Sequence, residues 1–362
     1  MEFVVSRDPV KNQTIEEFPF TSLDAIPQVY DRSRMAQEAW RETSLKHRAD
    51  KLKNLREAIL DQTPSLVDLI SRETGKPHFE SLSQDIFPTV SSLTYLIHSG
   101  PKTLRDRSIH LKNPLFWHRR SYFQFIPHGC VLIISPWNFP LFLALGEIAP
   151  ALLAGNSVIF KPSEHTSMVG LKIQALIEEA GFPLGLVQTT LGDGNVGSAL
   201  IHQGPDKIFF TGSVKTGRII STLAGEKMIP ATLELGGKDP MIILSDADLD
   251  YASSAALWGA FANSGQMCAS VERILVHESI AADFTDLLKR KVASLRVNPD
   301  QLNDTDLGAI AVDSQKDVYT EQLKEAQRSS KPRRPIRIWR HSNSKRQSVC
   351  AHYSHPGTMF GL

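Results

Sequence analysis

The sequence predicts an α/β fold built on a parallel sheet, and three observations carry that expectation. From Cys130 onward, short apolar or β-branched runs at 130–134, 157–160, 186–190, 207–210 and 231–234 recur at regular intervals. Between them lie stretches of helical length at 140–154, 166–181, 194–203 and 214–224. Short apolar or β-branched strands alternating with helices of that length mean crossover units and a parallel sheet covered on both faces. With 362 residues, 41% apolar and 22% charged, the chain is long enough for two domains with substantial cores.

Taken in order, residues 1–20 show little periodicity and read as a loose lead-in. Leu52, Leu55 and Ile59, then Leu66, Leu69 and Ile70, recur at three- and four-residue spacing among charged neighbours, which predicts helices between Ser22 and Lys76. Gly75 with Pro77 two residues on reads as their stop. Residues 121–127 predict a strand ended by Pro127-His128-Gly129. After the sheet, the run 241–244 and Asp246-Ala-Asp248 open a further unit, with a helix over 249–263, a strand over 271–277 and a helix over 280–295. Residues 316–328 have helical character. The block 328–346 is densely basic with few apolar residues, which is the composition of a disordered tail.

The bulk numbers exclude several function classes. Forty basic against thirty-nine acidic residues give a net charge of +1, so nothing draws the whole chain to nucleic acid or an anionic membrane. A small molecule is the expected partner. Cys130, Cys268 and Cys350 are too few and scattered for a disulfide framework or a zinc site. The first residues lack a basic stretch followed by an apolar core, and the apolar passage 139–154 is too short to span a bilayer. The expected location is the cytoplasm.

Five segments carry chemistry: Pro-Trp-Asn-Phe-Pro at 136–140, Phe-Lys-Pro-Ser-Glu at 160–164, Phe-Thr-Gly-Ser at 210–213, Glu-Leu-Gly-Gly-Lys at 234–238 and Gly-Gln-Met-Cys-Ala-Ser at 265–270. A cysteine is a nucleophile only as thiolate, and a glutamate is a useful base only if partial burial raises its proton affinity. Small polar neighbours set Cys268 apart from Cys130, which opens an apolar strand, and from Cys350. In this order and at these separations the segments resemble the aldehyde dehydrogenase superfamily, over about Val29 to about Gly308.

The resemblance implies a Rossmann-like coenzyme domain over 1–112 and 128–236, and a strand of an oligomerisation arm over 113–127. An incomplete α/β catalytic domain follows over 237–311, and then a divergent basic tail over 312–362. It implies NAD-dependent oxidation of an aldehyde to a carboxylic acid, with Cys268 as nucleophile, Glu234 as base and Asn138 as oxyanion donor together with the Cys268 backbone N–H. Cofactor contacts carried over are Ile134, Ser135, Trp137, Lys161, Ser163, Glu164, Gly212, Ser213, Gly217, Leu235 and Gly236. A carboxylate at Glu164 would repel a 2′-phosphate, favouring NAD over NADP. Gly192-Asp-Gly-Asn-Val-Gly197 matches the usual dinucleotide fingerprint, but the resemblance puts the diphosphate at the turn 212–217, so 192–197 is expected to be a structural turn. Glu147 stands near a position where many relatives carry a lysine. Segments that the family continues with after Gly308 are not recognisable here, so a truncated or frame-shifted product is expected. The rival expectation is a catalytically silent nucleotide-binding fragment. The family leads one to expect a homo-oligomer, and no metal is implied.

Overall fold

The computed structural model describes residues 2–110, 113–298, 301–328 and 348–350. The chain divides into two compact units, one of Met1–Arg7, Gln13–Glu73 and Ser81–Leu235, the other of Asp8–Asn12, Thr74–Glu80 and Gly236–Leu362.

The expected lead-in is instead a pair of strands, β1 (Phe3–Asp8) and β2 (Gln13–Pro19). Asp8 Oδ1 accepts from Val10 N at 2.9 Å and Lys11 N at 3.0 Å, and Asn12 turns the chain at φ 52°. A signal was present, since Asp-Pro and Asn punctuate two extended stretches; it is a turn signal that periodicity does not register. The predicted helices follow as Ile26–Arg41, Leu45–Asp61 and Thr63–Thr74. Leu52, Leu55, Ile59, Leu66 and Ile70 are all fully buried. Glu73, near the end of the third helix, accepts from Met168 N at 2.9 Å, Val169 N at 3.0 Å and Ser6 Oγ at 2.8 Å. It thereby satisfies orphan donors at the start of helix Ser167–Glu179.

The strand expected over 121–127 is shorter: β3 (Arg107–Ile109) pairs antiparallel with β4 (Ser121–Phe123). Phe125 leaves the ladder, with the Arg107 guanidinium 5.6 Å from its ring centroid, and Pro127 has no N–H to continue one.

Among the described residues the main sheet has five parallel strands: β5 (Cys130–Ile134), β6 (Ser157–Lys161), β7 (Val187–Thr189), β8 (Lys207–Gly212) and β9 (Ala231–Leu235). Their order is β7-β6-β5-β8-β9. Side chains of β5 divide by parity, Val131 and Ile133 into one core and Cys130 and Leu132 into the other. That explains the unbroken apolar run, because helices bury both faces. The chain steps from β5 out to β7, then returns to lay β8 on the other side of β5, which makes a topological switch point where β5 and β8 meet. In open α/β sheets such a crevice, at the carboxyl ends of the strands, is where ligands bind.

In the second unit β10 (Asp239–Ile243) runs parallel to β11 (Val271–His277). Helices Leu249–Phe261 and Ala281–Ala293 complete it around a small core of Ile243, Ala252, Ala256, Val276 and Phe284. Asp248 caps the first of these helices by accepting from Tyr251 N at 3.0 Å. The helical character expected over 316–328 is the helix Asp313–Arg328, whereas within the stretch expected to be a disordered tail β12 (Ser348–Cys350) lies antiparallel on β11. An open strand edge offers unpaired N–H and C=O groups to any extended segment, whatever its composition. The rest of that tail lies outside the described residues. Among the described residues no helix is long and apolar enough to cross a membrane.

Candidate functional site

The carboxyl ends of β5, β6, β8 and β9 bring together most of the first unit's predicted residues. Past β5, Ser135 N donates to Lys161 O at 3.1 Å, joining the ends of β5 and β6. Ser135 is buried, while Ile134, Trp137 and Asn138 are half-buried. Two residues beyond Phe139, Leu141 N and Phe142 N both donate to the fully buried Asp85 Oδ1 at 3.2 Å. Asp85 thus fixes where helix Phe142–Leu153 begins and, with it, the loop that presents Asn138. Its contribution was not legible in the sequence, because Asp85 lies 56 residues from Leu141 in an unrelated helical stretch.

At the end of β6 the Lys161 ammonium is buried and lies 3.9 Å from the half-exposed Glu164 carboxylate. Desolvation pushes the Lys161 pKa down, and the charges of Glu164 and Asp193 oppose that shift. Ser163 caps the short turn that follows, its hydroxyl accepting from His165 N at 3.3 Å. A buried cation beside a wetter anion is a donor and acceptor pair suited to adjacent hydroxyls of a sugar.

The two glycine turns differ in what their glycines do. At 192–197, Asp193 caps helix Gly194–Gln203 through Asn195 N at 2.8 Å. A Cβ on Gly192, whose φ is 151°, would sit 2.3 Å from Val196, and one on Gly197 would touch the Lys161 stem. At 212–217, Ser213 caps helix Val214–Glu226, its hydroxyl accepting from Thr216 N at 3.1 Å. A Cβ on Gly212 would meet the Phe210 ring at 2.5 Å, and one on Gly217 would meet Leu235 at 2.6 Å. Gly217 therefore lets helix and β9 approach closely, and the helix start after β8 brings its positive dipole end to the carboxyl end of the sheet. Both features fit a dinucleotide laid across the switch point.

Glu234, near the end of β9, is exposed, which departs from the expectation that burial prepares it as a base. β9 is an edge strand of its sheet, so nothing in the sheet covers that side. Across the β8–β9 pair it stands beside Thr211. The carboxylate that burial does reach is Glu147, in helix Phe142–Leu153, which accepts from Thr211 Oγ1 at 3.1 Å. Desolvation, offset in part by the Thr211 bond and reinforced by the charge of Glu234, pushes the Glu147 pKa up to about 7.

In the second unit Cys268 is exposed on the short connection between helix Leu249–Phe261 and β11. The turn before it is strained: Asn263, Ser264 and Gly265 have φ of 52°, 55° and 76°. A left-handed backbone at non-glycine residues costs about 1–3 kcal/mol each and persists only where the surroundings hold it. They do so here. Asn263 N donates to Glu80 Oε1 at 2.7 Å, Ser264 Oγ to Gly308 O at 2.9 Å, and Ala311 N to Gln266 Oε1 at 2.8 Å. The small polar residues flanking the thiol are thus the braces of its turn, and Glu80 is a brace the sequence did not disclose. Gly236 is exposed, and a Cβ on Gly237 would lie 2.8 Å from Asp239 Oδ1, which would have to shift, and 3.7 Å from Cys268 O. Cys130 is buried at the start of β5, 3.4 Å from the Ser33 hydroxyl, and burial pushes its thiol pKa up. Among the described residues no group of three or more His, Cys, Asp and Glu side chains could hold a metal ion.

Residues 2–331 match the aldehyde dehydrogenase family. The 4,4'-diapolycopene aldehyde oxidase of Methylomonas sp is 40% identical over 304 residues, which are 84% of this chain and 57% of that protein. The chain thus spans little more than half of that relative's length. A crystal structure of an NAD-dependent benzaldehyde dehydrogenase from Corynebacterium glutamicum superposes with a TM-score of 0.85 at 29% identity, covering 91% of this chain and 72% of that one. A crystal structure of an NADP-dependent enzyme from E. coli does so with a TM-score of 0.86 at 26% identity, covering 91% and 68%.

Proposed function

The chain belongs to the aldehyde dehydrogenase family, and from that premise we propose that it oxidises an aldehyde to a carboxylic acid with NAD as hydride acceptor. The observation that carries the reading is the exposed Cys268 on a strained, braced turn, whereas Cys130 is buried and burial pushes its thiol pKa up. The Cys268 thiolate adds to the carbonyl carbon, and the oxygen gains negative charge. The Asn138 side-chain amide and the Cys268 backbone N–H donate to that oxyanion, a role worth about two to four kcal/mol per donor in comparable sites. NAD, when bound, supplies the acceptor for the hydride that leaves the tetrahedral carbon, so that Cys268 is left holding a thioester. Glu234 then takes a proton from water, the hydroxyl adds to the thioester carbon, the C–S bond breaks, and acid departs as thiolate is restored.

For the cofactor, Lys161 and Glu164 would hold ribose hydroxyls, and Gly212, Ser213 and the helix start they open would hold the diphosphate. Ile134, Ser135, Trp137, Ser163, Gly217, Leu235 and Gly236 would line its path. NAD over NADP rests on the Glu164 charge. A cytoplasmic homo-oligomer accords with family habit. The identity to a diapolycopene aldehyde oxidase makes a long apolar aldehyde the first substrate to try, beside aromatic and short aliphatic ones. NADH formation by the purified chain with that panel, followed by stopped flow, is the test. Glu234→Gln should keep the NADH burst and slow the turnover that follows; unchanged steady-state turnover removes Glu234 from its role. A chain that binds NAD but forms no NADH with any aldehyde is the silent nucleotide-binding alternative.

A further inference from the structure

Two carboxylates sit at the end of the main sheet, and Thr211 joins them. Its backbone is the β8 neighbour of Glu234, and its hydroxyl donates to Glu147 Oε1 at 3.1 Å. The second oxygen of Glu147, Oε2, is shut off from solvent with no hydrogen-bond partner among the described residues. An anionic oxygen left in that condition is costly, whereas a carboxylic acid is far less so. The charge of Glu234 reaches Glu147.

The other charged groups around helix Phe142–Leu153 are engaged elsewhere. Asp85 is bound to Leu141 N and Phe142 N at the helix start, and Arg48 donates to Leu153 O at its end. Lys161, from β6, pairs with Glu164. His98 and Lys102, on the adjoining helix Phe87–Thr103, face solvent. No cation among these lies against Glu147 to hold it ionised.

We propose that Glu147 is a positioning residue for the Glu234 base: by holding or releasing its own proton, it sets how readily Glu234 takes a proton from water in thioester hydrolysis. The inference rests on the reading of Glu234 as base. While protonated, Glu147 is neutral and adds no charge beside Glu234. Loss of the Glu147 proton adds a like charge beside the base and favours the step in which the base gains a proton, because each carboxylate's charge opposes the other's. The sign is fixed: Glu147 ionises as pH rises through about 7, so hydrolysis gains speed across that window.

The experiment measures NADH burst and steady-state turnover from pH 6 to 9 in the full chain, with Glu147→Gln, Thr211→Val and Thr211→Ser. Turnover of the unaltered chain should climb through a step near neutral pH. Glu147→Gln should lose that step and run roughly threefold slower at pH 8, with the burst amplitude unchanged. Thr211→Val removes a bond that favours ionised Glu147, so the step should move to higher pH, and Thr211→Ser should return it. A step that persists in Glu147→Gln, or stays in place in Thr211→Val, overturns the proposal. An infrared titration of the protonated carboxyl band, absent in Glu147→Gln, gives a readout independent of turnover. Its midpoint should fall in Glu234→Gln, where the like charge is gone. A midpoint identical with and without Glu234 overturns the coupling even if the burst shows an active dehydrogenase. A midpoint that falls while no aldehyde gives NADH upholds the coupling and overturns the dehydrogenase reading.

Discussion

Cys130 and Cys268 each stand at the approach to a strand, and the chain gives them opposite surroundings. Cys130 begins β5 with its thiol buried against Ser33 and its backbone N–H on Asp206 Oδ2 at 2.7 Å. Cys268 precedes β11 in the open, after three residues in left-handed conformation. The same side chain is core filler in one unit and a candidate nucleophile in the other. What differs is the backbone: a regular strand turns its residues into the core, whereas a braced irregular turn holds a side chain out of it.

The comparison can be broken most sharply at the thiols themselves. Cys268→Ser should lower NADH formation by at least roughly 10³-fold, while Cys130→Ala should leave turnover within about twofold and lower unfolding free energy by roughly 1–2 kcal/mol. Chemical denaturation with steady-state assay of both variants reads the two effects separately; activity lost equally in both would erase the distinction. The brace is next. Glu80→Ala strands the buried Asn263 N–H, so it should destabilise by roughly 1–3 kcal/mol and slow the burst by about tenfold as the Cys268 turn relaxes. A normal burst in a destabilised variant would mean that the strain does not position the thiol.

Labelling sharpens the contrast without altering the chain. Limited iodoacetamide should modify Cys268 well before Cys130, since burial both shields the Cys130 thiol and pushes its pKa up. Peptide mapping that found Cys130 labelled first in folded protein would reverse the assignment. The smallest expected effect lies away from both thiols, at the half-exposed Glu164: Glu164→Gln should relax discrimination against NADP by about threefold, and equal NAD to NADP preference in both proteins would move the ribose site elsewhere.

Much of this organisation is written locally. The stretches 130–134, 194–203 and 271–277 were read from the sequence with the bounds that they have in the structure, because apolar runs, an aspartate cap and a glycine stop act within one element. The helix stop at Gly75 was equally plain, and the structure adds its reason: at φ 73°, a Cβ there would meet Pro9 and Ala309. Motif order likewise placed Asn138, Lys161, Glu164, Ser213 and Glu234 at strand ends.

Tertiary structure alone decided the rest. That Glu234 is exposed while Glu147 is shielded depends on which strand forms the sheet edge, and strand order is not encoded in the periodicity of any one strand. The Thr211–Glu147 bond joins residues 64 apart, the Asp85 contacts with Leu141 and Phe142 join residues 56 and 57 apart, and the Glu80–Asn263 bond joins residues 183 apart. Pattern in a sequence reports which face of a helix or strand is apolar, a property of a few consecutive turns. Which polar group meets which across a sheet end is set by the order in which the chain crosses, and each such meeting holds only because burial makes an unpaired partner costly.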